Sequence, residues 1–190
     1  MAISITGDPA ADAELDRNPF SLLSGMMLDQ QVTMEKAFSG PRVLVERLAG
    51  PLDPKVVAAY DPDAFVEIFS RPPAVHRFPK SMAARLQTLA RLVVETYDGK
   101  AERIWTEAAT AQDLHARLKS LPGFGQVKAT IFVALLGKQC GVRPVGWLEV
   151  TGSLGEEGAF RSVADVVDAD SRARVRAYKQ EQKRAAKSGR

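Results

Sequence analysis

The pentapeptide Leu121-Pro122-Gly123-Phe124-Gly125 constrains the fold of this chain more than any other stretch. It separates two segments, residues 111–120 and 126–138, whose apolar residues recur at helical spacing. Each segment therefore predicts a helix with one apolar face, and a tight turn brings the two faces together as a hairpin. Gly123 and Gly125 permit the positive φ and the close backbone approach that such a turn requires.

The start of the second predicted helix has the features of an anion site. The main-chain N–H groups of Gly125, Gln126 and Val127 have no acceptor within the helix, and the helix dipole favours an anion at this end. Lys128 adds a positive charge in the same turn. A helical hairpin without any ligand is also common, but the apolar stripes on both helices favour a grip on a DNA phosphate.

Three segments together resemble the helix-hairpin-helix DNA glycosylases of base excision repair, the HhH-GPD superfamily. Residues 121–137 are similar to its LPG-x-G-x-x-(T/K)-A hairpin. Residues 27–33, Met-Leu-Asp-Gln-Gln-Val-Thr, look like the ILxQQxS helix of the alkyladenine-type branch, and residues 79–92 resemble the basic helix between the two motifs. The matches span about residues 18–147 in the family's order.

The resemblance implies an all-α, compact two-lobed fold with a cleft between the lobes. It implies a helical domain at 1–170, a basic tail at 171–190, and a monomer that acts on damaged double-stranded DNA in the cytoplasm, at the nucleoid. The implied reaction is hydrolysis of the N-glycosidic bond of a damaged, for example alkylated, base, without a cofactor or metal. The residues expected to contact DNA are Gln30, Gln31, Lys80, Gly123, Phe124, Gly125, Gln126, Val127 and Lys128.

The chain departs from the family at the catalytic position. Relatives place an aspartate in the loop after the second hairpin helix, where it stabilises the oxocarbenium-like sugar or orients water. At that spacing this chain has Val145-Gly146-Trp147, without an aspartate. Glu149 and Asp29 are the two candidate replacements, and each could equally be a surface acid. The family's lyase lysine falls on Val127, so Schiff-base chemistry is not expected.

An extruded base has to be stacked and the hole it leaves has to be filled. Trp147 is the candidate for the base pocket, although a core tryptophan fits the sequence equally well. The amides of Gln30 and Gln31 are candidates for filling the hole. Because the aspartate is missing, two other functions stay open: a DNA-binding protein that has lost catalysis, and a helical protein-interaction domain.

Charge is distributed unevenly along the chain. Residues 172–190 contain eight Lys or Arg and one acid, whereas the preceding residues carry 18 basic and 22 acidic side chains. The tail could follow DNA phosphates or be a solvated helical end. The single cysteine, Cys140, excludes an internal disulfide and a four-cysteine iron–sulfur module. His76 and His115 are expected at the surface or at helix caps.

No stretch predicts a sheet, and no apolar run is long enough to cross a membrane. Asp8, Asp53 and Asp61 each precede a proline, the typical start of a helix. The clearest loop is predicted at 152–158. Helices are predicted at 9–17, 19–30, 32–48 with a break or kink at Gly40-Pro41, 54–60, 62–70, 81–97, 100–108, 111–120, 126–138 and 162–167, followed by the tail.

Overall fold

The computed structural model describes residues 3–188, which form helices and loops and contain no β-strand. The prediction of an all-α chain is confirmed for this part. None of the described helices has the length and hydrophobicity needed to cross a bilayer. The α-helices are α1 (Pro9–Arg17), α2 (Pro19–Leu28), α3 (Met34–Leu48), α4 (Pro54–Ala59), α5 (Pro62–Ser70), α6 (Pro79–Tyr97), α7 (Arg103–Thr106), α8 (Ala111–Lys119), α9 (Gln126–Gln139), α10 (Trp147–Thr151) and α11 (Ala169–Ser188).

Four helices begin with a proline that follows a capping side chain. Asp8, Asn18, Asp53 and Asp61 each accept a hydrogen bond from a main-chain N–H of the first turn, at 2.7–3.1 Å. Each cap satisfies a donor that the helix itself cannot, which is worth about 1 kcal/mol. These starts of α1, α2, α4 and α5 therefore follow from local chemistry, as the sequence predicted.

The segment between α2 and α3 differs from the prediction. α2 ends at Leu28 and α3 begins at Met34, so the two glutamines lie in a turn and not on a helix. A break or a kink was predicted at Gly40-Pro41, and the break is wrong, because α3 continues through both residues. Both are buried, and a Cβ at Gly40 would lie 2.8 Å from the Cδ1 of Leu28. Close packing on α2 holds the backbone that Pro41 alone would disfavour.

Three further boundaries were predicted incorrectly. The helix expected at 100–108 is reduced to α7, and that expected at 162–167 is one 3-10 turn, Val163–Asp165. The predicted loop at 152–158 opens with another 3-10 turn, Gly152–Leu154, directly after the unpredicted α10. Residues 171–188 of the predicted tail belong to the long helix α11, and residues 189–190 lie outside the described part of the chain.

The helices pack around one continuous hydrophobic core. α1, α2 and α3 contact one another, α4 and α5 lie on α6, and α8 and α10 lie on α9. The 3-10 turn Val163–Asp165 connects α9 to α11. It is fixed by the buried amide of Gln139, which donates to the carbonyls of Val163, Ala164 and the following Val166 at 3.0–3.2 Å. An ion pair between Lys138 and Asp165, at 2.5 Å, adds to this.

Candidate functional site

The predicted hairpin consists of α8, α9 and the turn at 120–125. The main-chain N–H of Phe124 donates to the carbonyl of Leu121 at 3.1 Å, and both side chains are buried. The ring of Phe124 meets Phe132 edge-on, with 6.0 Å between centroids. The Phe124 side chain, which the resemblance placed among the DNA contacts, therefore packs between the helices.

The start of α9 is open to solvent. Gly125, Gln126 and Val127 are all exposed, and no side chain caps the helix. Among residues 3–188, none accepts a hydrogen bond from their three main-chain N–H groups. A Cβ built on Gly125 would meet nothing within 4 Å, so a ligand could approach the backbone closely. Three unpaired donors thus face solvent at the positive end of a 14-residue helix.

Gly123 joins the hairpin to two distant parts of the chain. Its φ is +81°, and an added Cβ would lie 2.8 Å from the Cδ of Arg85 on α6 and 3.0 Å from the Cγ of Met27 on α2. The turn is therefore packed against the end of α2 and the first half of α6. This proximity could not be predicted from the order of the motifs along the chain.

Residues Asp29–Thr33, here called the QQ turn, present their two glutamines differently. Both polar atoms of the Gln30 amide are hydrogen-bonded: its Nε2 donates to the Met27 carbonyl at 2.9 Å, and its Oε1 accepts from Arg85 at 3.0 Å. Gln31 is exposed, has a φ of +55°, and its amide bonds to no residue that the structure describes. Gln30 therefore holds the turn in place, and Gln31 is free to contact a ligand.

The buried side chain of His76 is hydrogen-bonded to the QQ turn. This imidazole is completely buried, with Nε2 3.2 Å from the Leu28 carbonyl and 3.0 Å from the Gln30 carbonyl. Its Nδ1 accepts from the N–H of Phe78, so the ring is neutral with its proton on Nε2. Burial keeps the His76 pKa below its usual 6.5, against the effect of the two carbonyls. The expectation was that His76 lies at the surface or at a helix cap. The surface position is wrong, but the ring does contact the last carbonyl of α2, that of Leu28.

Lys128 joins the hairpin to the same turn. Its Nζ donates to the Met27 carbonyl at 3.0 Å, across 101 residues of sequence. Burial lowers the pKa of Lys128 to about 8; the charge of Asp29 opposes this effect and that of Arg85 adds to it. The amine is therefore easier to deprotonate than an ordinary surface lysine.

A cavity of about 540 Å³, here called the QQ cavity, lies between the QQ turn, the start of α3, the first turns of α9, and α11. Its volume is in the range of ordinary ligand sites. Its lining includes two acidic residues, Asp29 and Glu35, and four basic residues: Lys128, Arg176, Lys179 and Lys183. The contributions of Glu35 and of α11 were missed from the sequence, because no motif connects residues 29–35 to residues 176–183.

The other predicted site residues lie elsewhere. Trp147 is 5% exposed; its Nε1 donates to the Val133 carbonyl at 2.9 Å, and its ring lies against Gly137. The exposed Glu149 borders a separate depression that shares no lining residue with the QQ cavity. Lys80, at the start of α6, is exposed but does not line the QQ cavity. Of the two candidate acids, only Asp29 lies at the cavity beside the hairpin.

The residues in 3–188 include no group of three or more His, Cys, Asp or Glu side chains arranged to hold a metal ion. No protein-family model matches the chain, and neither a curated protein nor a solved structure matches it significantly. What the site does must therefore be argued from its geometry and from the sequence motifs.

Proposed function

We propose that the protein is a base excision repair protein that binds damaged duplex DNA and hydrolyses the N-glycosidic bond of the damaged base. Membership of the HhH-GPD superfamily and its two-lobed architecture are part of this proposal. One observation carries it: the open N–H groups at the start of α9 lie beside the QQ cavity. Val127 and Lys128, in the first turn of α9, also line that cavity.

The α9 start suits a phosphate of the DNA backbone. Exposed N–H donors at a helix N-terminus bind phosphate without regard to base sequence, and they position the strand. Lys128 and Arg85, close by, add positive charge. A protein held mainly by such contacts binds undamaged DNA with a Kd of roughly 10⁻⁴–10⁻⁶ M and loses affinity as the salt concentration rises.

The QQ cavity suits a nucleotide turned out of the duplex. A damaged base costs only a few kcal/mol to unstack, and the exposed amide of Gln31 is placed at the rim to enter the space that the base leaves. Backbone held at positive φ in a residue other than glycine is found disproportionately at functional sites.

Asp29 is the carboxylate that we assign to the reaction. The bond between deoxyribose C1′ and the base nitrogen breaks, the base leaves with the electron pair, and a water oxygen adds to C1′. The Asp29 carboxylate stabilises the positive charge on the sugar and accepts the proton of that water. Its position at the cavity, which Glu149 does not share, supports the assignment.

A second candidate is a DNA-binding protein without catalysis. It is favoured by the segment Val145-Gly146-Trp147, which contains no aspartate at the place where the superfamily carries one. Such a protein would use the same hairpin and QQ turn to recognise distorted duplex. The two candidates differ only in whether a base is released.

The deciding experiment compares Asp29→Asn with Glu149→Gln. Duplexes containing 3-methyladenine, hypoxanthine, uracil or 8-oxoguanine are incubated with each protein and then treated with alkali, which cleaves at abasic sites. One of these duplexes should be cleaved by alkali after incubation with the wild type or with Glu149→Gln, because its damaged base has been released. After incubation with Asp29→Asn it should stay intact. Matching thermal melting curves of the two variants would exclude misfolding as the cause.

The other outcomes are equally informative. Cleavage retained by Asp29→Asn would refute the role of Asp29. Binding that weakens steeply with salt, but no cleavage of any lesion, would favour the non-catalytic candidate. Binding to DNA without any salt dependence would contradict both.

A further inference from the structure

α11 is a cationic helix with few apolar anchors. Ser171 and Val175 are its buried residues, and from Glu181 to Ser188 every side chain is exposed. The second half of this 20-residue helix therefore has no hydrophobic face against the body, and among the described residues its one ion pair to the body is that of Lys179 with Asp29. A helix docked in this way detaches at a low free-energy cost.

One stripe of α11 faces the QQ cavity. Arg176, Lys179 and Lys183 are spaced by three and four residues, so they lie on the same face, and all three line the cavity. Lys187 continues the stripe by one more turn. At 1.5 Å per residue the stripe is about 16 Å long. Its first three side chains form a positive wall of the cavity, whose lining also includes the start of α9.

Two acidic residues hold this stripe. The guanidinium of Arg176 pairs with Glu35 on α3, and the Nζ of Lys179 lies 3.7 Å from the Oδ2 of Asp29. Burial raises the pKa of Glu35, but the hydrogen bond from Arg176, its own N–H and nearby arginine charges outweigh this, and the net pKa lies below 4.5. The Arg176 side chain is nonetheless 57% exposed, so a competing anion in solution can reach it.

We propose that α11 is a second nucleic-acid contact that works by exchange of ion pairs. In the free protein, Glu35 and Asp29 hold Arg176 and Lys179. When a DNA strand enters between α11 and the start of α9, its phosphates replace both carboxylates. The carboxylate of Asp29 is thereby released into the cavity only when DNA is bound. This inference rests on the proposed DNA-binding function and adds the means by which the site responds to its ligand.

The first test is Glu35→Gln, with Glu46→Gln as its control. Glu46 lies on the same helix, pairs with Arg42 at 2.9 Å, and does not line the cavity, so both variants remove one negative charge and free one arginine. Binding of a fluorescent duplex is measured by anisotropy. Freeing Arg176 should tighten binding about two- to five-fold relative to Glu46→Gln, as expected for an exposed ion pair.

The second test needs no DNA. Hydrogen–deuterium exchange of residues 176–188 should be faster in Glu35→Gln than in Glu46→Gln, because the second half of α11 loses a docking contact. A matched pair on α11 then tests the stripe. Arg176→Ala should lower the salt slope of DNA binding by about one. Arg174→Ala should leave that slope unchanged, since Arg174 pairs with Asp170 and lies over the ring of Phe160.

The outcomes separate this inference from the proposed function. If the wild type binds DNA with the expected salt dependence but Glu35→Gln and Glu46→Gln have equal affinities and equal exchange rates, the ion-pair exchange is refuted and the proposed function stands. Equal salt slopes for Arg176→Ala and Arg174→Ala would refute the contact with the strand. If the wild type shows no salt-dependent binding, both proposals fail.

Discussion

Replacing Gly123 and Gly125 by alanine, one at a time, separates the structural role of the hairpin from its proposed contact with DNA. The two glycines are two residues apart in the same turn, yet their surroundings differ. Gly123 has a φ of +81° and packs against Arg85 and Met27. Gly125 has extended backbone angles (φ −128°, ψ −174°) and an open flank. An added methyl group would therefore be crowded and held at positive φ at Gly123, whereas at Gly125 it would meet open space and extended backbone.

The expected costs follow from these surroundings. At Gly123 an alanine pays about 1–2 kcal/mol for left-handed backbone. Its Cβ also lies at 2.8 and 3.0 Å from two side-chain carbons, and the repacking adds about 1 kcal/mol or more. At Gly125 the unfolded chain loses entropy, which stabilises the fold, while alanine is a poorer helix cap, so the net change is within about 0.5 kcal/mol.

Thermal melting and DNA binding measure the two effects separately. A loss of about 2–3 kcal/mol lowers the Tm of Gly123→Ala by about 5–10 °C, and Gly125→Ala should melt close to the wild type. In an anisotropy titration, Gly125→Ala should bind duplex DNA about tenfold more weakly or worse, because its methyl group blocks charge-assisted hydrogen bonds to a phosphate.

Two results would refute this reasoning. Equal Tm values for the two variants would contradict the packing of Gly123 against Arg85 and Met27. Unchanged DNA affinity of a fully folded Gly125→Ala would mean that the open N–H groups do not contact the backbone of DNA.

Two further predictions concern pH. The Lys128 pKa is about 8 in the folded protein and 10.5 ordinarily, so between pH 8 and pH 10.5 folding releases a proton and the free energy of unfolding should rise with pH. DNA binding should instead weaken from pH 7 to pH 9, because Lys128 loses its positive charge. Lys128→Met should lose this part of the pH dependence of binding in anisotropy titrations. For His76, the unfolded chain takes up a proton near pH 6.5 that the folded protein does not, so the free energy of unfolding should fall below this pH. Urea titrations at pH 7.5 and 5.5 should show a smaller fall for His76→Gln, and an equal fall would contradict the buried neutral imidazole.

The sequence predicted the features that depend on neighbouring residues. The Asp-Pro pairs fix the starts of α1, α4 and α5 because a cap and its donors lie within three residues of each other. The hairpin was predicted for the same reason, since two apolar stripes flank a turn containing Gly123 and Gly125. Long-range packing overruled local preference at Pro41, which lies within α3.

The tertiary structure alone decided which of the predicted residues meet. Lys128 reaches the Met27 carbonyl across 101 residues, Arg176 reaches Glu35 across 141, and Trp147 turns into the core, away from Asp29. It also distinguished Gln30, whose amide nitrogen and oxygen are both hydrogen-bonded, from Gln31, whose amide bonds to none of the residues 3–188. Caps and helical periodicity are encoded within a few neighbouring residues, whereas the QQ cavity exists only because helices far apart in the chain share one core.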